Sequence, residues 1–315
     1  MPEASGQEVI VVVYDVVIVG GGAAGLSAAL VLGRARRSVA VVDAGSPRNA
    51  PADQLHGFLS RDGMSPLELL SVGRAEVAGY GVELFEDRVV GVDFGFYVRL
   101  AGGATLKARR VLFATGLRDE LPELPGVRER WGRDVHVCPY CHGWEVRDQP
   151  IGVIGTSALS VHHALLIRGW SDDVLYFPQS FEPSETEATQ LAAVGVRLVA
   201  GTVAGVQVEN DRVTGVRLES GEVVARSAVF LRPPFASPAD PLLRALGCEF
   251  DETGFVRTDP SGRTTAWGVW AAGNVADQRA AVVTSAGDGF AAAVAINTDL
   301  LEEDIERAVL ALTPA

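Results

Sequence analysis

The stretch Val11-Val12-Val13-Tyr14-Asp15-Val16-Val17-Ile18-Val19-Gly20-Gly21-Gly22-Ala23-Ala24-Gly25 decides the fold. Its first part, Val11 to Val19, is β-branched and almost continuously apolar, the pattern of a strand buried on both faces. Gly20, Gly22 and Gly25 then fall at the spacing G-x-G-x-x-G. The first glycine permits a tight turn, the second lets a pyrophosphate approach the backbone, and the third lets a helix pack on the strand. A helix from Gly25 to Leu32, entered through Ala23 and Ala24, turns free N–H groups and its positive dipole end toward the phosphates. A second buried strand, Ser38 to Val42, runs into Asp43, which follows Gly22 by 21 residues. A carboxylate at that distance binds an adenosine ribose. The glycine motif alone is weak; flanked by strand and helix and paired with Asp43, it predicts a dinucleotide site.

Working outward, Ser46 to Ser65 reads as a loop, and Pro66 to Ala78 as a helix. Strands follow at Val82–Phe85, Val89–Val92, Tyr97–Leu100 and Ala108–Ala114, the last entering Ala114-Thr115-Gly116. The proline-punctuated run Leu121 to Gly126 suits a crossing between domains. The βαβ grammar then repeats: a strand at Pro150–Ile154, a turn at Gly155, a helix at Ser157–Ile167 and a strand at Val174–Phe177. Later strands are expected at Val196–Val199, Gly205–Glu209, Thr214–Leu218 and Ala228–Leu231. Pro233, Pro234, Pro238 and Pro241 mark a second crossing. A strand at Val269–Ala272 leads to Gly273-Asn274, and Val282 to Leu301 reads as a long helix. The expected fold is α/β with two Rossmann-like dinucleotide-binding domains, the second inserted in the first. The expected boundaries are 1–117 with 243–315 for one domain and 118–242 for the other.

An apolar fraction of 48% and a charged fraction of 21% describe a soluble globular chain. A net charge of −13 argues against nucleic acid and against an anionic membrane as partners. MPEASGQEVI has no basic region followed by an apolar run, so no signal peptide is expected. No uncharged apolar run reaches the roughly 18 residues of a spanning helix. The expected location is the cytoplasm. Three cysteines are too few for a secreted disulfide scaffold.

Two of those cysteines form Cys138-Pro139-Tyr140-Cys141, followed by His142. A pair this close cycles between dithiol and disulfide with little backbone movement, exchanging two electrons. Such motifs commonly lower the pKa of one thiol. Zinc is the competing use, with His136 and His142 as flanking ligands. The tight H-x-C-x-x-C-H run would strain tetrahedral geometry, and no metal is expected. Cys248 reads as a small buried side chain. His162 and His163 fall in the second helix and read as structural.

The order of first glycine loop, Ala114-Thr115-Gly116, C-x-x-C, second glycine turn and Ala272-Gly273-Asn274 resembles the low-molecular-weight thioredoxin reductases across nearly the whole chain. The resemblance implies FAD in the first domain, held by Gly20, Gly22, Ala23, Ala24, Gly25, Asp43, Ala114, Thr115, Gly116, Gly273 and Asn274. It implies that Cys141 faces the flavin and Cys138 engages the substrate, and that the protein is a homodimer. An acid/base carboxylate normally follows the second cysteine. Here that place is His142, either a proton carrier with Glu145 as its rival or a plain surface histidine. His56-Gly57-Phe58 lies in a region that approaches the flavin in that family; it shapes a pocket or simply packs the loop.

Three departures redirect the reading. The second loop is Gly155-Thr156-Ser157-Ala158-Leu159-Ser160, with serine where a pyrophosphate would touch backbone. The following strand leads into Tyr176-Phe177-Pro178-Gln179-Ser180-Phe181-Glu182, without the guanidinium groups a 2′-phosphate needs. The Arg-Gln expected before the terminal helix is replaced by Asp277-Gln278-Arg279-Ala280-Ala281. With CPYCHG, this pattern looks like the FAD-dependent dithiol oxidases of natural-product pathways, of holomycin and gliotoxin type. This resemblance implies an enzyme that closes a disulfide in a small-molecule dithiol and reduces O2 to H2O2, with Cys138, Cys141 and His142 catalytic. The alternatives are an NAD(P)H-dependent disulfide reductase and a flavin-bound redox sensor.

Overall fold

The computed structural model describes residues 12–233, 235–236 and 241–312. Val11, the first ten residues, Pro234 and Pro238 therefore lie outside the described residues. The chain divides into two compact units. One is drawn from residues up to Pro47, from Glu68–Leu117 and from Pro241 onward; the other comprises Arg48–Leu67 and Arg118–Ala236. Arg48–Leu67 thus packs with the second unit, although the sequence places it in the first domain. Arg48 pairs with Asp119 at 2.6 Å, and Pro51 lies against Gly132.

The first unit is built on β1 (Val13–Val19), which pairs in parallel with β2 (Val39–Asp43) on one side and Thr105–Phe113 on the other. Strand Glu83–Glu86 extends the sheet beyond β2, and Val269–Ala271 pairs in parallel with Thr105–Phe113. Tyr97–Leu100 and Val89–Asp93 continue it antiparallel. Successive side chains of a strand face opposite ways, so Val16 and Ile18 enter one core while Val17 and Val19 enter the other. The Val16 face is covered by α1 (Ala23–Arg34) and the terminal helix Val282–Leu312, which runs past its expected end at Leu301. These helices meet on small residues: a Cβ on Gly289 would fall 2.0 Å from the Ala24 carbonyl oxygen.

In the second unit, Ile151–Gly155 lies between Val174–Pro178 and Ala228–Leu231, all parallel. Helices Leu159–Ile167 and Glu185–Ala193 and the antiparallel strands Val203–Glu209, Arg212–Leu218 and Val223–Ala225 complete it. Glu185–Ala193 was not foreseen because its ETEATQLAA sequence is polar. Its signal was the capping box of Ser184 and Glu187, which the structure forms.

Charge ties the terminal helix to the first sheet. Buried Arg110 pairs with Asp299 at 2.5 Å and Glu303 at 2.8 Å, while Arg37 pairs with Asp304 at 2.7 Å. Removing one partner strands the other charges in low dielectric. Arg110→Ala is expected to lower stability by about 3 kcal/mol, read as a reduced urea midpoint at pH 7. An unchanged midpoint would show that Arg263, which also reaches Asp299, carries the anchor.

Candidate active site

In the first unit, the segments selected from sequence meet at the C-terminal ends of β1, β2, Thr105–Phe113 and Val269–Ala271, where open α/β sheets bind ligands. Gly20 has φ +107° and donates its N–H to Val42 at 2.8 Å; a Cβ there would fall 2.3 Å from the Ala114 carbonyl oxygen. The Gly20 turn and Ala114-Thr115-Gly116 are therefore in contact. A Cβ on Gly25 would lie 1.9 Å from the Gly20 carbonyl oxygen, so this position needs glycine for packing. Gly22 differs: nothing lies within 4 Å of where its Cβ would be, and it starts α1 without a side-chain cap. No packing within the described residues demands glycine at 22. The open space and uncapped helix start suit a pyrophosphate, and the donor set fits the dinucleotide part of FAD.

Asp43 reaches this loop: a Cβ on Gly21 would fall 2.9 Å from its carboxylate. It accepts a hydrogen bond from Arg74 at 2.7 Å, a partner the sequence did not reveal. Gly273 packs against Ala24, bringing the fourth segment in. The Asn274 amide donates to the carbonyls of Asp277 and Ala280, at 2.9 and 3.0 Å, and so shapes the turn before the terminal helix.

In the second unit, Cys138 and Cys141 form a disulfide with Cα atoms 5.3 Å apart. Pro139 begins a single helical turn, where its missing N–H costs nothing, and the Cys138 carbonyl accepts from the N–H groups of Cys141 and His142. Gly143 follows because any side chain would strike Trp170. Tyr140 meets Trp170 edge-on, and Tyr140 and Trp144 are exposed beside the disulfide.

His142 is not a surface histidine. Its ring stacks on His136 with centroids 4.4 Å apart, and both its nitrogens are buried without a well-formed hydrogen bond. Burial pushes it below the ordinary imidazole range; Glu145 and the Cys138 backbone oppose this, and His56 adds to it. Burial takes His136 down to about 3, helped by His142, and His163 to about 3, helped by Arg232. His163 lies edge-on to Phe230 in the core, while His162 is exposed. Among the described residues no His, Cys, Asp and Glu cluster could hold a metal ion. Cys248 is buried and unoxidised, donating to Thr264.

The second loop is arranged differently from the first. Ser160, fully buried, accepts hydrogen bonds from the N–H groups of both Thr156 and Ser157 at 3.1 Å. The Gly155 carbonyl accepts from Ser180 and Phe181, pinning the segment after Val174–Pro178 onto the loop. The Tyr176 hydroxyl occupies the space a Cβ on Gly155 would enter.

The family model for pyridine nucleotide-disulphide oxidoreductases matches residues 14–289. Thioredoxin reductase sirT of Leptosphaeria maculans is 30% identical over 318 residues, covering 93% of this chain and 96% of that protein. A "Probable thioredoxin reductase" of Arthroderma benhamiae is 33% identical over 181 residues, spanning 54% of this chain and 45% of the fungal protein. The crystal structure of HlmI is similar with a TM-score of 0.92 at 55% identity, over 95% of this chain and 96% of that one. The fold is thioredoxin reductase-like.

The buried histidines make a pH prediction. An unfolded imidazole binds a proton near pH 6.5, whereas folded His136 and His163 bind one only near 3. Between those limits the unfolded state holds more protons, so their contribution is complete above pH 6.5 and is lost as pH falls. Each histidine is expected to add about 1.4 kcal/mol per pH unit to the slope of stability in that window. Urea unfolding from pH 7 to 4 should show this slope, flattened in His136→Phe/His163→Phe. An equal slope in the double variant would refute it.

Proposed function

The chain belongs to the pyridine nucleotide-disulphide oxidoreductase family, whose members are flavoproteins, and from that premise we propose that it is an FAD-dependent dithiol oxidase. It closes a disulfide in a small-molecule dithiol of natural-product type and passes the electrons to O2, giving H2O2. It works as a homodimer, as the resemblance implies, and in the cytoplasm, the location expected from its sequence.

One observation carries the direction of electron flow. A nicotinamide dinucleotide would need the N–H groups of the second loop for its pyrophosphate, and Ser160 already satisfies those of Thr156 and Ser157. Opening these bonds would leave a buried hydroxyl unpaired, at a cost of about 1–3 kcal/mol. The segment Tyr176–Glu182 also lacks the guanidinium groups a 2′-phosphate needs. In the first loop the opposite holds: Gly22 leaves space and the helix start is uncapped. FAD held by Gly20–Gly25, Asp43, Ala114–Gly116 and Gly273-Asn274 supplies a two-electron acceptor that oxygen can reoxidise.

The substrate is oxidised by two thiol–disulfide exchanges. A substrate thiolate attacks Cys138, breaking the Cys138–Cys141 bond and releasing the Cys141 thiolate. The second substrate thiolate attacks the substrate sulfur of that mixed disulfide. Cys138 leaves as a thiolate and the product leaves as a closed disulfide. His142, neutral near pH 7, accepts a proton from each incoming thiol. Exposed Tyr140 and Trp144 offer apolar surface to a flat ring bearing those thiols.

Anaerobic addition of a dithiol should bleach the flavin absorbance, and air should restore it with peroxide, while NADPH leaves the spectrum unchanged. Rapid bleaching by NADPH would make the protein a reductase. Cys138→Ser or Cys141→Ser should reduce dithiol oxidation by at least about a hundredfold, and full activity in either would defeat the exchange scheme. Gly22→Val should yield folded protein that purifies without flavin, since a Cβ there meets nothing within 4 Å. A yellow Gly22→Val protein would contradict the assignment of that space.

A further inference from the structure

We propose that Arg74 is a positioning residue for the cofactor, fixing the Asp43 carboxylate in the orientation that receives the hydroxyls of an adenosine ribose. The proposal rests on the reading above, in which the first glycine loop holds FAD. It concerns only the adenosine end of that cofactor and is independent of the direction of electron flow.

Asp43 ends β2 beside the loop, and its Oδ2 lies 2.9 Å from where a Cβ on Gly21 would fall. Arg74 Nη2 donates to that same oxygen at 2.7 Å. Among the described residues no other group hydrogen-bonds to the Asp43 carboxylate. Oδ1 is therefore left as an acceptor, and a carboxylate has lone pairs enough to take the vicinal hydroxyls of a ribose as well as one N–H. The side chains are 36% and 22% exposed for Arg74 and Asp43. The pair is thus held by protein yet reachable by a ligand.

The packing that seats Arg74 is local to the first unit. Arg74 lies on the helix Pro66–Ala78, whose Leu70 and Val77 enter the same core as Leu26 of α1 and Val39 and Val41 of β2. Between them, a Cβ on Gly73 would fall 3.1 Å from Leu26 Cδ1, so glycine lets this helix settle closely on α1. Arg74, the next residue, is brought to the end of β2. Without it, Asp43 has no internal partner and its carboxylate turns freely in water, so a ligand would have to order it on binding. With it, that ordering is complete before the ligand arrives. A guanidinium near such a ribose elsewhere accommodates a 2′-phosphate. Here it is engaged by Asp43, and the pair suits a ribose with its hydroxyls free, as in FAD. A single N–H makes the contact rather than a two-pronged fork, so a lysine ammonium is able to replace it.

The test follows FAD release from purified holoenzyme as the rise in flavin fluorescence on dilution, with no thiol substrate present. Arg74→Met is expected to weaken FAD binding about fivefold, and Arg74→Lys to recover most of the loss. Asp43→Ala should also weaken binding, and adding Arg74→Met to it should cause no further loss, because Arg74 acts through Asp43. Arg74→Met protein that retains FAD as wild type does, or Arg74→Lys as weak as Arg74→Met, overturns the proposal and leaves the oxidase reading intact. So does an Arg74→Met effect that persists in full beside Asp43→Ala. Wild-type protein that holds no FAD overturns both.

Discussion

Backbone N–H groups at the end of a strand must find acceptors, and the two glycine loops meet this demand in opposite ways. In the first, the residues around Gly22 carry no side-chain cap, and a Cβ at 22 would enter open space. In the second, Ser160 supplies the acceptor, and the Gly155 carbonyl and Tyr176 hydroxyl close the loop on its own strand neighbour. An anion at the first loop replaces water on donors that need a partner. At the second it would have to displace an internal hydroxyl that is already well placed. The first loop thus leaves its N–H groups without an internal side-chain cap, whereas Ser160 satisfies those of the second.

A second constraint near the cysteine pair is the burial of imidazoles. Three rings, His136, His142 and His163, lack well-formed hydrogen bonds for one or both nitrogens. Each lost hydrogen bond costs stability, and burial keeps the rings neutral. At His163, within the core, this reads as packing against Phe230. At His142, directly after Cys141, it leaves a neutral imidazole next to a disulfide. The stack on His136 discourages two charges at once, and Glu145 offers compensation when one arrives.

Much of this was legible in the sequence because it is written locally. The βαβ pattern around Gly20–Gly25, the carboxylate at Asp43 and the C-x-x-C pair each declare themselves within a few residues. The convergence of Ala114-Thr115-Gly116 and Gly273-Asn274 on the first loop was legible only through resemblance, since it depends on long-range strand order. Arg74 on Asp43 and His56 on Glu145 left no local signal, because their partners lie 31 residues and farther along the chain. The departure visible in the second glycine pattern was Ser157; Ser160 was not singled out. Its role as internal acceptor required the fold, as did the stacking of His142, which exposure statistics for histidine alone would place at the surface. The polar helix Glu185–Ala193 escaped for want of an apolar stripe.

The claim that electrons enter from a dithiol and leave to oxygen is tested most directly by stoichiometry. Purified holoenzyme is supplied with a small-molecule dithiol and no nicotinamide, in a closed cell that records oxygen and peroxide. The account predicts one O2 consumed and one H2O2 formed for each substrate disulfide closed. No oxygen uptake with dithiols, together with NADPH oxidation coupled to disulfide opening, would contradict it.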